Sequence, residues 1–303
     1  MDYLHSIEKP RLRDPVLVAA FSGWNDASEV ATFSARYLVQ QWTARRMAEI
    51  GSEEFYVFTE TRPHVHIAGR LQRRIEWPAN DFFFYKNPNG DHDFIILVGA
   101  EPNLKWHAFT DTLLGFAKEN GVTTLVTLGA LVADVAHTLP VRLSGTGSSL
   151  RLSQRLRQLG IERTRYEGPT GIVGVLNSAF AQAGLASASI WASVPDYLSA
   201  APNLKASLAM LERLSSLLSI TLDLSELRLF TAQFDRQVSE ALAQNPEVQS
   251  YVRELEERDQ GRHEEVEEAQ PDHEQFPSGE AVIRELEEFL RRRQRGQGGS
   301  QPS

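Results

Sequence analysis

Four stretches of this chain are near-continuous runs of apolar and small residues without polar–apolar alternation: VLVAAF (16–21), DFIILVGAE (93–101), GVTTLVTLGAL (121–131) and SASIWASVP (187–195). A strand with one wet face alternates apolar and polar residues. A strand that does not alternate has both faces buried. Between these runs lie segments whose apolar residues recur every three or four positions, as on a helix covering a core. Examples are 104–119, with Leu104, Ala108, Leu113, Phe116 and Ala117, and 171–182, with Ile172, Val175, Leu176 and Phe180. Buried strands alternating with amphipathic helices predict an α/β protein, a three-layer α/β/α sandwich.

The remaining elements follow from the same periods. Helices are expected over 27–47 and 149–159, and a strand over EFYVFTE (54–60). HVHIAGR and RRIEWP read as two shorter strands, and FFFYK as part of an edge hairpin. After Pro202 the pattern is wholly helical, with Asn203 and Ser225 as plausible N-caps. The expected organisation is a core domain over 1–200, then a helical subdomain over 201–260, packed on the core or placed in an oligomer interface. Residues 261–303 follow as an acidic linker, a short helix and a flexible tail. The stretch Tyr251–Glu280 sets three arginines against eleven acidic residues, and like charges with little apolar area predict a mobile segment. Val282, Ile283, Leu286, Phe289 and Leu290 then form a brief helical stripe with a basic end, Arg291–Arg295.

Composition excludes several classes of function. There is no cysteine, so disulfides, thiolate catalysis and cysteine-based zinc sites are ruled out. A net charge of -9 disfavours nucleic acid as a partner. No run approaches the roughly 18 apolar residues of a membrane span, and MDYLHSIEKP lacks the apolar core of a signal peptide. A cytoplasmic protein without membrane contact is expected. No cofactor and no metal is expected either. His64 and His66 share one strand face, but no third ligand accompanies them.

In sheets of this kind, functional groups gather past the C-terminal ends of the strands. Five junctions carry them here. FSGWNDASEVA brings Trp24 and Asp26, with Asp26 and Glu29 spaced as a capping pair. GAEPNLKW brings Glu101 and Lys105, and the loop after Leu128 brings Asp134, His137, Thr138 and Arg142. YEGPTGIVGVL offers Gly168, Thr170 and Gly171 ahead of a helix, an arrangement suited to an anion, with Thr170 as its cap. The fifth junction is ASVPDYLSAAPNLK. The candidate rim is thus Trp24, Asp26, Glu101, Lys105, His137 and Thr170. LSGTGSS (143–149) is a second anion-friendly loop, without the lysine of a P-loop. No catalytic signature is complete: Ser22 lies outside a nucleophile elbow, and the spacing does not unite Ser22, His137 and an aspartate in a triad.

Taken together, FSGWNDASEVA, GAEPNLKW, LGALVADVAHTLPV, YEGPTGIVGVLN and VPDYLSAAPNLKA resemble the PAC2 family, named for a proteasome assembly chaperone, and most of all its actinobacterial branch. The resemblance covers about residues 10–250. It implies a phosphorylase/hydrolase-like α/β/α fold and a role as a protein-interaction or assembly-chaperone-like scaffold, as a homo-oligomer with a protein partner. It implies no defined catalytic residues. Family chaperones often dock on proteasome rings through a hydrophobic–Tyr–any-residue tail; this chain reads Gln301, Pro302, Ser303 there, so docking of that kind is not expected. The alternative is a phosphorylase- or hydrolase-type enzyme acting on a small anionic or nucleoside-like substrate at the rim. In that reading Trp24 stacks on a planar group, His137 moves a proton and Thr170 holds an anion.

Overall fold

A computed structural model describes residues 3–68, 72–199, 202–242 and 246–268. The first strand, β1 (Leu4–Ser6), is short, and β2 (Val16–Ser22) is apolar as far as Phe21. Helix α1 (Val30–Gln41) leads to β3 (Arg45–Ile50). Next come β4 (His64–Ala68), β5 (Gln72–Glu76), β6 (Asn80–Tyr85) and β7 (Phe94–Ala100). Then follow α2 (Trp106–Glu119), β8 (Thr124–Ala133), β9 (Leu143–Gly147), α3 (Leu150–Gln158) and β10 (Glu162–Arg163). The chain continues through α4 (Ile172–Gln182), β11 (Ala186–Pro195), α5 (Leu204–Leu218), α6 (Ser225–Leu242) and α7 (Pro246–Glu268).

Nine strands form one mixed sheet in the order β1-β3-β6-β7-β2-β8-β11-β9-β10. Its centre, β7-β2-β8-β11, is parallel. The two faces divide the residues of β2 by parity. Val16, Val18 and Ala20 pack with Val30 and Leu38 of α1 and with Met210, Leu211 and Leu214 of α5. Leu17, Ala19 and Phe21 pack with Phe109 and Leu113 of α2 and with Leu176 and Phe180 of α4. Both faces of the central strands are therefore dry, which is why their sequences do not alternate. Each such Leu or Phe contributes about 1.5–3 kcal/mol by leaving water. The three-layer α/β/α expectation holds.

Several local expectations do not. The helix expected to reach residue 47 ends at Gln41; Thr43 turns the chain with a positive φ of 47°, and RRMAEI becomes β3. No glycine or proline announces that reversal. EFYVFTE is not a strand. Its Phe55 and Tyr56 are buried in a turn-rich loop, Phe55 against Phe109 at 5.3 Å and Tyr56 donating to the Ala100 carbonyl at 2.6 Å. FFFYK is no edge: β6 lies between β3 and β7, with Phe82 in one core and Phe83 packed against the other. LSGTG is not a loop but β9, paired antiparallel with β11. A Cβ at Gly145 would lie 2.1 Å from the Ser189 carbonyl oxygen, so glycine lets the two backbones meet. The leucines after Pro202 mostly complete the core, through α5 and the start of α6.

The compact unit carrying the sheet ends at Glu257. Helix α7 spans part of the acidic stretch read as mobile, since Tyr251 onward is helical as far as Glu268. The helical stripe 282–290 and its basic end lie outside the described residues.

Candidate functional site at the strand rim

Because β7, β2, β8 and β11 run parallel side by side, their C-terminal ends open on one edge of the sheet. Backbone bonds lace the loops there together. Glu101 N–H donates to the Ser22 carbonyl at 2.9 Å, Ala130 N–H to the Asn25 carbonyl at 2.8 Å, and Asn203 N–H to the Ser28 carbonyl at 3.2 Å. The expected junctions do converge.

Glu101 is the node. Its Oε1 accepts from Asn25 Nδ2 at 2.7 Å and from the Ile172 amide at 2.7 Å. The amide belongs to the first turn of α4, where an anion is favoured by the unsatisfied N–H groups and the helix dipole. The chain's own carboxylate thus sits at the position read as an anion site. Gly171 precedes it as N-cap, and a Cβ there would lie 2.1 Å from Asn25 Oδ1. Thr170 does not cap α4; its hydroxyl bonds the Gly171 carbonyl at 3.4 Å. Gly168 adopts φ 155°, while Tyr166 donates to the Pro169 carbonyl at 2.9 Å.

Asp26 is buried and serves α1, but not as half of a reciprocal pair. It accepts from the Ala31 amide at 2.7 Å, the Thr32 amide at 3.2 Å and the Thr32 hydroxyl. Burial pushes its carboxyl above the ordinary range, against the pull of these donors. The Glu29 amide donates to the Asp26 carbonyl at 3.1 Å, but its side chain makes no capping bond; it and Ser28 take left-handed backbone (φ 57° and 51°), so α1 begins only at Val30.

His137 is buried, and its ring meets Tyr197 rather than a serine: Nδ1 and the backbone N–H both lie 2.8 Å from the Tyr197 hydroxyl. Lys205 donates to the His137 carbonyl, and Thr138 donates to Glu256 of α7. Lys105 is exposed and paired with Glu54, whose carboxylate raises its pKa. No triad is assembled from Ser22, His137 and Asp26.

Trp24 differs from all of these. It is 62% exposed on the loop after β2. It borders a cleft of about 570 Å³, lined also by Gly23, Arg62, Glu101, Asn103 and Trp106. Leu104 and Tyr166 on neighbouring loops, and Leu131 and Val132 at the end of β8, are exposed as well. Among the described residues no cluster of three or more His, Asp or Glu side chains could hold a metal ion, and no helix is long and apolar enough to cross a membrane.

The model of the PAC2 family matches residues 20–242, a span that takes in all five rim loops. The chain belongs to the PAC2 family. It is similar to a proteasome-assembly chaperone homologue from Mycobacterium tuberculosis, with 39% identity and a TM-score of 0.71 over 78% of this chain and 99% of that one. It is also similar to a PAC2 family protein from Streptomyces avermitilis, at 40% identity and a TM-score of 0.71, over 79% and 100% of the two chains. Both are actinobacterial, the branch that the motifs resemble. A Pyrococcus furiosus protein described as an archaeal proteasome activator shares the fold at 19% identity, with a TM-score of 0.64 over 80% of this chain and 99% of that one. Among curated proteins, none matches. Two residues that shape this PAC2 rim escaped the sequence reading. Asn25 lay beside Trp24 and Asp26 as an ordinary loop amide, and Tyr197 sat in the fifth junction without a distinguishing neighbour.

Proposed function

We propose that the rim is a docking surface for a protein partner and that the chain acts as a homo-oligomeric, assembly-chaperone-like scaffold. One observation carries this reading. The charged groups of the rim are paired within the chain, whereas several large apolar side chains stand exposed and uncovered there. Glu101, Asp26, His137 and Lys105 all have internal partners. Trp24, Leu104, Leu131, Val132 and Tyr166 face solvent. Exposed aromatic and aliphatic groups grouped on one rim suit protein contact, and Trp and Tyr dominate binding hot spots. Related proteins are described as a proteasome-assembly chaperone homologue and a proteasome activator, so proteasome subunits are the first partners to try.

Self-association has its own surface. Among the described residues, strands β4 and β5 pair only with each other. On one face of this ribbon Val65, Ile67 and Ile75 are 61%, 81% and 55% exposed. A two-stranded ribbon alone is marginal in water, and a second copy would cover this face.

The test mixes the purified protein with unassembled proteasome α-subunits from the same cell and follows complex formation by sedimentation. Binding that weakens at least about tenfold in Trp24→Ala, the usual size of a hot-spot loss, is the expected result. The cleft of about 570 Å³ supports the second reading, an enzyme with a small substrate. A stoichiometric metabolite in native mass spectra, with no subunit binding, would favour it.

A further inference from the structure

The stretch 150–166 holds five arginines and one acidic residue, on a chain whose net charge is -9. Helix α3 buries Leu156 in the core that it shares with α5 and leaves Arg151, Arg155 and Arg157 exposed. The Ile161 amide donates to the Leu156 carbonyl at 3.0 Å, which turns the chain directly from α3 into β10. That strand is the last in the sheet order and pairs with β9, with Arg163 exposed on it and Arg165 exposed just beyond. Leu150, at the start of α3, is 83% exposed. The five arginines are thus gathered at one end of the sheet.

Elsewhere in the chain arginines find carboxylates: Arg45 pairs with Glu8 at 2.7 Å, and Arg228 with Glu212 at 2.9 Å. Among the described residues, none of these five does. Arg155 is held differently, its Nη2 donating to the Ser216 carbonyl at 3.0 Å near the end of α5. That bond uses one of its five donors. It lies one helical turn from Arg213, which borders a cleft of about 290 Å³ together with Gly160 at the end of α3. The acids of the cleft are already engaged, Glu212 by Arg228 and Asp235 by Lys205 at 3.5 Å. Arg213 is exposed and has no carboxylate partner among the described residues. A guanidinium stays charged throughout the physiological range and offers a planar fork that matches a carboxylate.

We propose that α3, β10 and the Arg213 cleft form a second interaction surface, which takes a carboxylate-rich segment of a partner protein. This surface does not depend on what the rim binds. Arginine forks pair bidentately with Asp and Glu side chains, and Leu150 adds an apolar contact of the kind a peptide side chain fills. Helix α3 has nine residues and spans only about 14 Å. It can neutralise few phosphates of a nucleic acid, while the net negative charge of the chain repels the rest.

The test is fluorescence anisotropy of a dye-labelled peptide of repeated Glu-Glu-Ala, titrated with the full-length protein in about 0.15 M salt. Saturable binding with a Kd of about 100 μM or tighter is expected, weakening as salt rises. Arg151→Gln combined with Arg157→Gln should weaken it about tenfold. Neither side chain bonds within the chain among the described residues, so the fold does not depend on them. Arg36→Gln, which removes an exposed charge from α1, should leave binding unchanged. No binding, no loss in the double variant, or an equal loss in Arg36→Gln overturns the proposal. So does tighter binding, at equal salt, of a mixed-sequence DNA duplex or of phosphatidylserine vesicles. A changed sedimentation mass in the double variant would make the face a contact between copies and would overturn it as well. Binding that tightens about tenfold when Glu264, Glu265, Glu267 and Glu268 are all changed to Gln would mean that the chain's own acidic stretch competes, and would overturn a separate partner.

Discussion

At the scale of single residues, the rim is organised by a carboxylate that serves its own chain. Glu101 Oε1 satisfies two donors, the side chain of the fully buried Asn25 and the Ile172 amide. Glu101→Ala would leave both without a partner, and an unmet buried donor costs about 1–3 kcal/mol. Urea unfolding of Glu101→Ala should therefore show a loss of about 2–4 kcal/mol. Glu101→Gln keeps an acceptor oxygen and should retain most of that stability. A loss below about 1 kcal/mol for alanine would show that water takes over both bonds. The same node explains what could be read here from sequence. Glu101 was legible as a rim residue because Pro102 stops its strand and carries it to the edge. Its partner was not, because the bond to Asn25 spans 76 positions. Asp26 was legible as a cap, but Glu29 was not visible as a left-handed residue. Beside it, the equally left-handed Ser28 donates through Oγ to the Ser199 carbonyl at 3.1 Å, a contact across 171 positions.

Among the elements, legibility follows burial. Strands β2, β7, β8 and β11 lie in the sheet's interior and are read as near-continuous runs of apolar and small residues. Strand β3 begins with the exposed Arg45 and Arg46, and β9 consists of Leu, Ser, Gly and Thr. Both are strands because of their neighbours, which single-sequence periodicity does not contain. The β4-β5 ribbon was read correctly as two short strands, but its separation from the main sheet was not foreseen. Cross-strand register brings Val65 opposite Ile75 and Ile67 opposite Arg73 on one face. His64 and His66 share the other, where His66 meets Glu76 at 3.0 Å. If the apolar face joins copies, Ile67→Asp should convert the assembly to a species of 34.0 kDa in sedimentation, with the circular-dichroism spectrum unchanged. An unaltered oligomer would move the interface elsewhere, with Leu229 and Phe230, exposed on α6, as the next candidates.

For the molecule as a whole, the compact unit that bears the sheet runs to Glu257 and so takes in the first half of α7. A chain ending at residue 260 keeps Val252, Leu255 and Glu256 on the third loop. It should stay folded and keep its assembly state. A chain ending at residue 243 bares Ala136, Leu139 and Tyr197, and should bind a hydrophobic dye and melt several degrees lower. Unfolding of the chain that ends at residue 260 would show that residues past 260 are part of the core. The strand order also dictates when the sheet can close as the ribosome makes it. Strand β2 is synthesised early, yet its second neighbour is β8; β8 in turn waits for β11, whose residues come later still. Each wait leaves an apolar strand edge open, the kind of edge that recruits other chains. Closure over such long separations is slow. Such an edge stays unpaired on the nascent chain until β11, its last central strand, has left the ribosome.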